Sequence, residues 1–322
     1  PGVRVVQQIA IPDEGADRSR PIGPEGVVLN ILKSFAGLLL ATHQYGYVSL
    51  DESETFLYIC DFNIRTDTTS ISTFARREGD GYIISGQKVW TSRAEHSDLM
   101  VLLARTTPKD EVSKKSEGLS VFLVEMKDAL ENGMTIQPIR TMINHSTTQI
   151  FYDDVPIPAD ALIGEEGKGF KYILSGMNAE RILIAAECVG DARWFIKKAT
   201  DYANEREVFG RPIGQNQGIQ FPIARAYAQT EAATLVLQKA AALYDAGQPC
   251  GAEANMAKML TSEASWAAAE ACIQTHGGFG VAEEYDVERK FREARLYQIA
   301  PISTNLILSF VAEHVLGLPR SY

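Results

Sequence analysis

Among the residues able to do chemistry, Glu180 stands out for the company it keeps. If 169–202 is one helix, Ile173, Met177, Glu180, Ile184 and Cys188 share a face, because steps of three and four return to the same side. A carboxylate inside an apolar row is costly unless it is paired or its pKa is raised. A raised pKa is what a general base needs to work near neutral pH. The same placement also suits a buried ion pair with an arginine from elsewhere, such as Arg206 or Arg289, and position alone leaves both readings open.

Three more groups have useful chemistry. The cluster His276-Gly-Gly-Phe-Gly280 leaves bare backbone at the end of a predicted helix, suited to a phosphate or dinucleotide, or simply to a tight helix–helix turn. Arg206-Glu-Val-Phe-Gly-Arg-Pro-Ile-Gly214 and Gln215-Asn-Gln217 form a polar joint whose arginine can hold a phosphate or cap a carbonyl. Trp90-Thr-Ser92 sets an indole beside two hydroxyls at a predicted strand end, where the plainer reading is an edge tryptophan. Gly164-Glu-Glu-Gly-Lys-Gly169 lacks the Gly-Lys-Ser/Thr ending of a phosphate loop, and that reading is rejected.

The elements that must position these groups change along the chain. A helix is expected over 26–42, after a polar segment broken by Pro and Gly. Short runs at 81–86, 99–105, 119–124, 135–139 and 149–152 are rich in β-branched and aromatic residues with turn signals between them, which predicts a small barrel or sandwich. The charged stretch 109–118 has no apolar period and is read as a solvated excursion. After Gly164 the spacing is helical over 169–202, 219–246, 251–276 and 303–316, and short joints imply an antiparallel bundle.

Composition narrows the function classes. The 322 residues include 31 Lys and Arg against 41 Asp and Glu, a net charge of −10 without the basic stripe a nucleic-acid binder needs. The longest apolar run, 35–41, is too short to cross a bilayer. Cys60, Cys188, Cys250 and Cys272 lie far apart, with no CxxC and no histidine at ligand spacing. They read as free thiols in a reducing compartment, with no metal site, which favours a bacterial cytoplasm or a mitochondrial matrix over secretion.

Taken together and in order, several blocks resemble the acyl-CoA dehydrogenase family over about 67–322. They are Gly86-Gln-Lys-Val-Trp-Thr-Ser92, Ala104-Arg105-Thr106, Gly164-Glu-Glu-Gly-Lys-Gly-Phe170, Ala179-Glu-Arg181, Arg206-Glu-Val-Phe-Gly210, Gln274-Thr-His-Gly-Gly278 and Ala294-Arg-Leu-Tyr-Gln-Ile299. The ending His314-Val-Leu-Gly-Leu-Pro-Arg-Ser321 is similar to the family member 10/11-type branch and its bacterial relatives. The resemblance implies an α+β multidomain protein: an abbreviated helical N-terminal region (1–54), a central β-barrel (55–165) and a C-terminal antiparallel four-helix bundle (166–322). It implies a homotetramer (or homodimer) that binds FAD, oxidises an acyl-CoA thioester to a trans-2-enoyl-CoA and passes electrons to electron-transfer flavoprotein.

The resemblance also assigns roles. Glu180 is the base, as in members that place it on the first bundle helix, because Ala300-Pro301 stand where other members have Tyr-Glu. Trp90 and Ser92 would lie against the flavin ring, and Arg206, Phe209, Gln217, Gln274, Gly277, Gly278, Ser303 and Asn305 would hold the rest of FAD. Thr66, Asn178 and Arg181 would border the substrate, and His276 would be structural. Three departures stand out, the first being that only about fifty residues precede the expected barrel, short of the family's helical N-terminal domain. The family's flavin loop is replaced by 56–67, with Cys60 in place of a flavin-contacting threonine, and Pro301 has no N–H with which to polarise the thioester carbonyl. These departures support a non-catalytic flavin- or acyl-CoA-binding homologue as the alternative, beside a flavin oxidase on the same fold.

Overall fold

The structure, a computed structural model, describes the backbone of Leu57–Cys60 and residues 70–143 and 146–321. The helix expected over 26–42, the rest of region 1–54, and Thr66 lie outside the described residues. The chain forms two compact units that divide after Met177, with Met142 and Ile143 belonging to the second.

The first unit is built on a mixed eight-stranded sheet. Its strands are β1 (Leu57–Cys60), β2 (Phe74–Glu78), β3 (Gly81–Ser92), β4 (Leu99–Arg105), β5 (Leu119–Glu125), β6 (Met134–Pro138), β7 (Thr147–Pro158) and β8 (Leu162–Ile163). Their order is β6-β7-β3-β2-β4-β5-β8, with β1 alongside β4 in parallel. A short helix, α1 (Met126–Glu131), links β5 to β6.

β4 explains the layering. All seven of its residues are buried. Met100, Leu102 and Ala104 enter one core with Tyr82, Phe122 and Tyr152, while Val101 and Leu103 enter another with Leu119, Tyr172 and Ile173. Successive side chains point to opposite faces, so a continuous apolar run is the signature of a strand covered on both sides. Truncating Phe122, which is fully buried, to alanine would cost about 3–5 kcal/mol.

The strand pattern leaves a small barrel or a sandwich open and the resemblance implies a barrel, but the described strands do not close into one. Among the described residues the sheet is open, ending in β6 on one side and the two-residue β8 on the other. Because β4 buries both faces, the sheet makes a core on each side instead of one enclosed interior.

The second unit carries most of α2 (Gly169–Glu205), then α3 (Gln217–Asp245), α4 (Gly251–His276), α5 (Val287–Ala294) and α6 (Thr304–Phe310). A hairpin of β9 (Glu207–Val208) and β10 (Arg211–Pro212) joins α2 to α3. The long helices meet along buried alanines: Ala185 with Ala240 and Ala257 in one cluster, and Ala192 and Ala199 with Ala226, Ala268 and Ala269 in the next. The expected helix over 303–316 is α6 followed by a π turn over Val311–Val315. α5 has no counterpart among the expected elements. Its Val287, Phe291 and Ala294 are at helical spacing, but five charged residues surround them.

Candidate functional site

Glu180 sits on α2 as the spacing suggests. It is half-buried in the row of Ile173, Met177, Ile184 and Cys188. It makes no hydrogen bond or ion pair among the described residues, so the buried-pair reading loses its partners. Arg289 binds Asp286 and Glu293 instead, and Arg206 is exposed. Loss of water pushes the Glu180 carboxyl up to about 7, with the Arg181 guanidinium opposing the shift.

Arg181 and Asn178, three residues apart, face the start of α4. Arg181 donates to Asn178 Oδ1 at 3.0 Å, and its buried Nε finds no partner. Burial lowers the Arg181 pKa, while Glu180 and the Cys250 thiol counteract that. An alanine-sized side chain at Gly251 would sit 4.0 Å from Asn178 Nδ2.

A cavity of about 570 Å³ opens elsewhere in the helical unit, lined by Tyr202, Arg206, Thr275, His276, Gly278 and Phe279, among others. Tyr202 and His276 stack with ring centroids 4.2 Å apart, and the His276 Nδ1 lies 2.9 Å from the Cys272 carbonyl. That contact places the imidazole proton on Nδ1, and burial holds the group below the usual histidine range. Gly277 has φ +58°, which favours glycine, and at neither Gly277 nor Gly278 would a Cβ meet any atom within 4 Å. Gly280 differs, since a Cβ there would strike the Ile273 carbonyl at 2.6 Å. Bare backbone in open space, aromatic faces and a guanidinium together suit a ligand with a flat ring and phosphates, so these residues fit one part of FAD.

The other sequence-chosen residues are spread more widely. Phe209 is fully exposed at the tip of the β9–β10 hairpin with φ +54°. Gln217 is exposed at the first turn of α3, and Gln274 is exposed on the last turn of α4. Ser303 caps α6 by accepting the Leu306 N–H at 3.4 Å, and Asn305 is exposed. In the first unit, Trp90 is half-exposed at φ +68°, where the β3–β7 register shifts between Val89 and Thr91. A tryptophan with positive φ is strained, and such strain collects where a side chain must be aimed. Ser92 closes the same strand opposite Thr147.

The structure therefore brings Arg206 and Gly278 to one cavity, Asn178, Glu180 and Arg181 to one stretch of helix, and Trp90 and Ser92 to one strand end. Sequence reading missed Tyr202 as a wall of the cavity, because a tyrosine near the end of a long helix gives no signal of what it will pack against. It also missed Lys258, whose position on the buried side of α4 is visible only once the helices are packed. Cys188, Cys250 and Cys272 are buried free thiols. Among the described residues, no cluster of His, Cys, Asp and Glu suits a metal ion, and no helix is long and apolar enough to cross a membrane.

Residues 59–155 match the family model for the acyl-CoA dehydrogenase middle domain, and 167–316 match that for the acyl-CoA dehydrogenase C-terminal domain. The chain is 39% identical over 259 residues to acyl-CoA dehydrogenase fadE12 of Mycobacterium bovis, covering 80% of this chain and 66% of that protein. It is 34% identical over 256 residues to the mitochondrial short/branched chain specific acyl-CoA dehydrogenase of Rattus norvegicus, covering 78% of this chain and 57% of that one. The matched stretch thus spans two thirds or less of these relatives. Butyryl-CoA dehydrogenase from Megasphaera elsdenii has a similar structure, with a TM-score of 0.76 and 26% identity over 91% of this chain and 78% of that one.

Proposed function

The chain belongs to the acyl-CoA dehydrogenase family, and on that premise we propose that it carries out FAD-dependent α,β-dehydrogenation of an acyl-CoA thioester, giving a trans-2-enoyl-CoA. The observation that carries this reading is Glu180, a carboxyl without a partner in an apolar row, with a pKa near 7. A base needs both properties: enough carboxylate at neutral pH, and enough proton affinity to take a proton from the carbon α to a thioester.

In this reading the Glu180 carboxylate removes the α proton and holds it as the carboxylic acid, in surroundings that already favour the neutral form. Bound FAD supplies the hydride acceptor for the β carbon. Trp90 and Ser92 lie against the flavin ring, and Arg206, Phe209, Gln217, Gln274, Gly277, Gly278, Ser303 and Asn305 hold the remainder. Asn178, Arg181 and Thr66 border the substrate, with the buried Arg181 Nε–H free to donate to a ligand oxygen. The same proposal includes the domains 1–54, 55–165 and 166–322, α6 as the fourth bundle helix, a homotetramer (or homodimer), transfer to electron-transfer flavoprotein, and a bacterial cytoplasmic or mitochondrial matrix location.

The test is a visible spectrum of the FAD-loaded protein before and after anaerobic addition of a panel of acyl-CoA thioesters. Bleaching of the flavin band by one of them is the expected result. A flavin band that no thioester bleaches would favour the non-catalytic binding reading, which has Pro301 in its support. Stoichiometric peroxide in air would favour the oxidase.

A further inference from the structure

Lys258 lies fully buried on α4. Its Nζ donates to the Ile302 carbonyl at 2.7 Å, the one hydrogen bond it makes among the described residues. Its titratable neighbours are both on α2: the Cys188 thiol and the like-charged Arg181 guanidinium. No carboxylate pairs with it there.

That environment is a poor one for an ammonium. Three N–H donors meet one protein acceptor, a like charge is within electrostatic reach, and no carboxylate among the described residues pairs with it to offset the loss of hydration. A methionine of similar length would pack in the same space without that cost. The group is therefore better explained by what it holds than by what it adds to the core.

It holds the loop 300–303. The near end of that loop is fixed by the Ala300 N–H donating to the Leu296 carbonyl at 2.9 Å, and the far end by the Ser303 cap on α6. Between them, Pro301 has no N–H to give, and Lys258 is the tie at Ile302. The Lys258 ammonium is also within electrostatic reach of Cys188, which belongs to the same row of α2 as Glu180. One ammonium on α4 thus holds the loop by its Ile302 carbonyl and lies within electrostatic reach of the helix that carries the carboxyl.

We propose that Lys258 is a positioning residue for the reaction at Glu180, clamping the Ile302 carbonyl so that loop 300–303 keeps a single placement relative to the Glu180–Cys188 row of α2. This inference rests on the reading of Glu180 as the base.

The test uses the full chain loaded with FAD, with an acyl-CoA thioester as substrate and a dye as electron acceptor. In Lys258→Met, kcat should fall by about 10-fold to 10²-fold, the scale of a small misplacement near reacting groups, and KM should move by less than about threefold. The Tm should hold or rise, since a buried unpaired charge has gone. Lys258→Gln, which retains a donor without the charge, should recover part of the lost kcat. A folded Lys258→Met protein with unchanged kcat would overturn the proposal. So would loss of folding in both variants, which would make Lys258 a structural residue. Glu180→Gln is measured alongside: if it keeps full turnover, the base assignment fails, whereas an inactive Glu180→Gln beside a fully active Lys258→Met removes only the Lys258 inference.

Discussion

The helical unit contains two polar sites with opposite characters. Around Glu180 the row of side chains is apolar, the carboxyl has no hydrogen-bond or ion-pair partner among the described residues, and loss of water pushes it up to about 7 against the opposing Arg181 charge. Around Arg206 and Gly278 the surface is open and the guanidinium is exposed. Proton abstraction needs a group whose two protonation states are close in energy, and burial provides that. Holding phosphates needs fixed charge and free N–H groups at low desolvation cost, and an open cleft provides that. The contrast predicts that the first site sets rate and the second sets cofactor retention.

The largest expected effect is at the dry site. Glu180→Gln should keep FAD but slow substrate bleaching by about 10²- to 10⁴-fold, the usual contribution of a general base. Full bleaching at the wild-type rate would end the assignment. The pH profile sharpens the same point. The rate should fall about tenfold per unit below pH 7 and level off above it, as expected for a base that must be ionised. A profile flat down to pH 5.5 would place the base elsewhere.

The open site should respond differently. Arg206→Ala should weaken FAD binding by about 10- to 100-fold, through loss of a charge-assisted contact. Raising salt to roughly 0.5 M should weaken binding in the parent as well, because exposed charges are screened, while leaving bleaching of the loaded protein unaltered. Stoichiometric FAD in the variant after dilution would reduce Arg206 to a helix cap.

The smallest effect concerns stability. Since the folded pKa of Glu180 lies above its unfolded value, the folded state binds the proton more tightly, and stability declines as pH rises from about 4.5 to about 7. Glu180→Gln should therefore raise the Tm by a few degrees at pH 8 and leave it nearly unchanged at pH 4.5. An equal Tm at pH 8 would mean the carboxyl is better hydrated than its row suggests.

Some of this was legible in the sequence and some was not. Glu180 could be found because helical spacing fixes which neighbours share its face, and those neighbours are apolar. The strands of the first unit were legible from β-branched runs. That the described sheet stays open was not, since the order β6-β7-β3-β2-β4-β5-β8 depends on long-range pairing that local pattern does not encode. α5 was hidden because three apolar residues among five charges look like a solvated loop until Val287 and Ala294 meet α4. Lys258 was hidden for the opposite reason. A lysine reads as surface, and its carbonyl partner lies 44 residues away. The cavity escaped notice because Tyr202 and His276 come from different helices.

The alanine seams of the helical unit also shape how this protein can change by mutation. A single-base change in an alanine codon yields Val, Thr, Ser, Gly, Pro, Asp or Glu, and most of these are bulkier than the residue they replace. At Ala185, Ala192, Ala240, Ala257 and Ala269, each fully buried, a larger side chain would have to force two helices apart at a cost of about 1–3 kcal/mol. β4 is more forgiving, because exchanges among Leu, Met and Ile there conserve volume. Drift should therefore be slow along the helix seams and faster across the sheet core, so that the oldest shared positions between distant relatives are the smallest side chains.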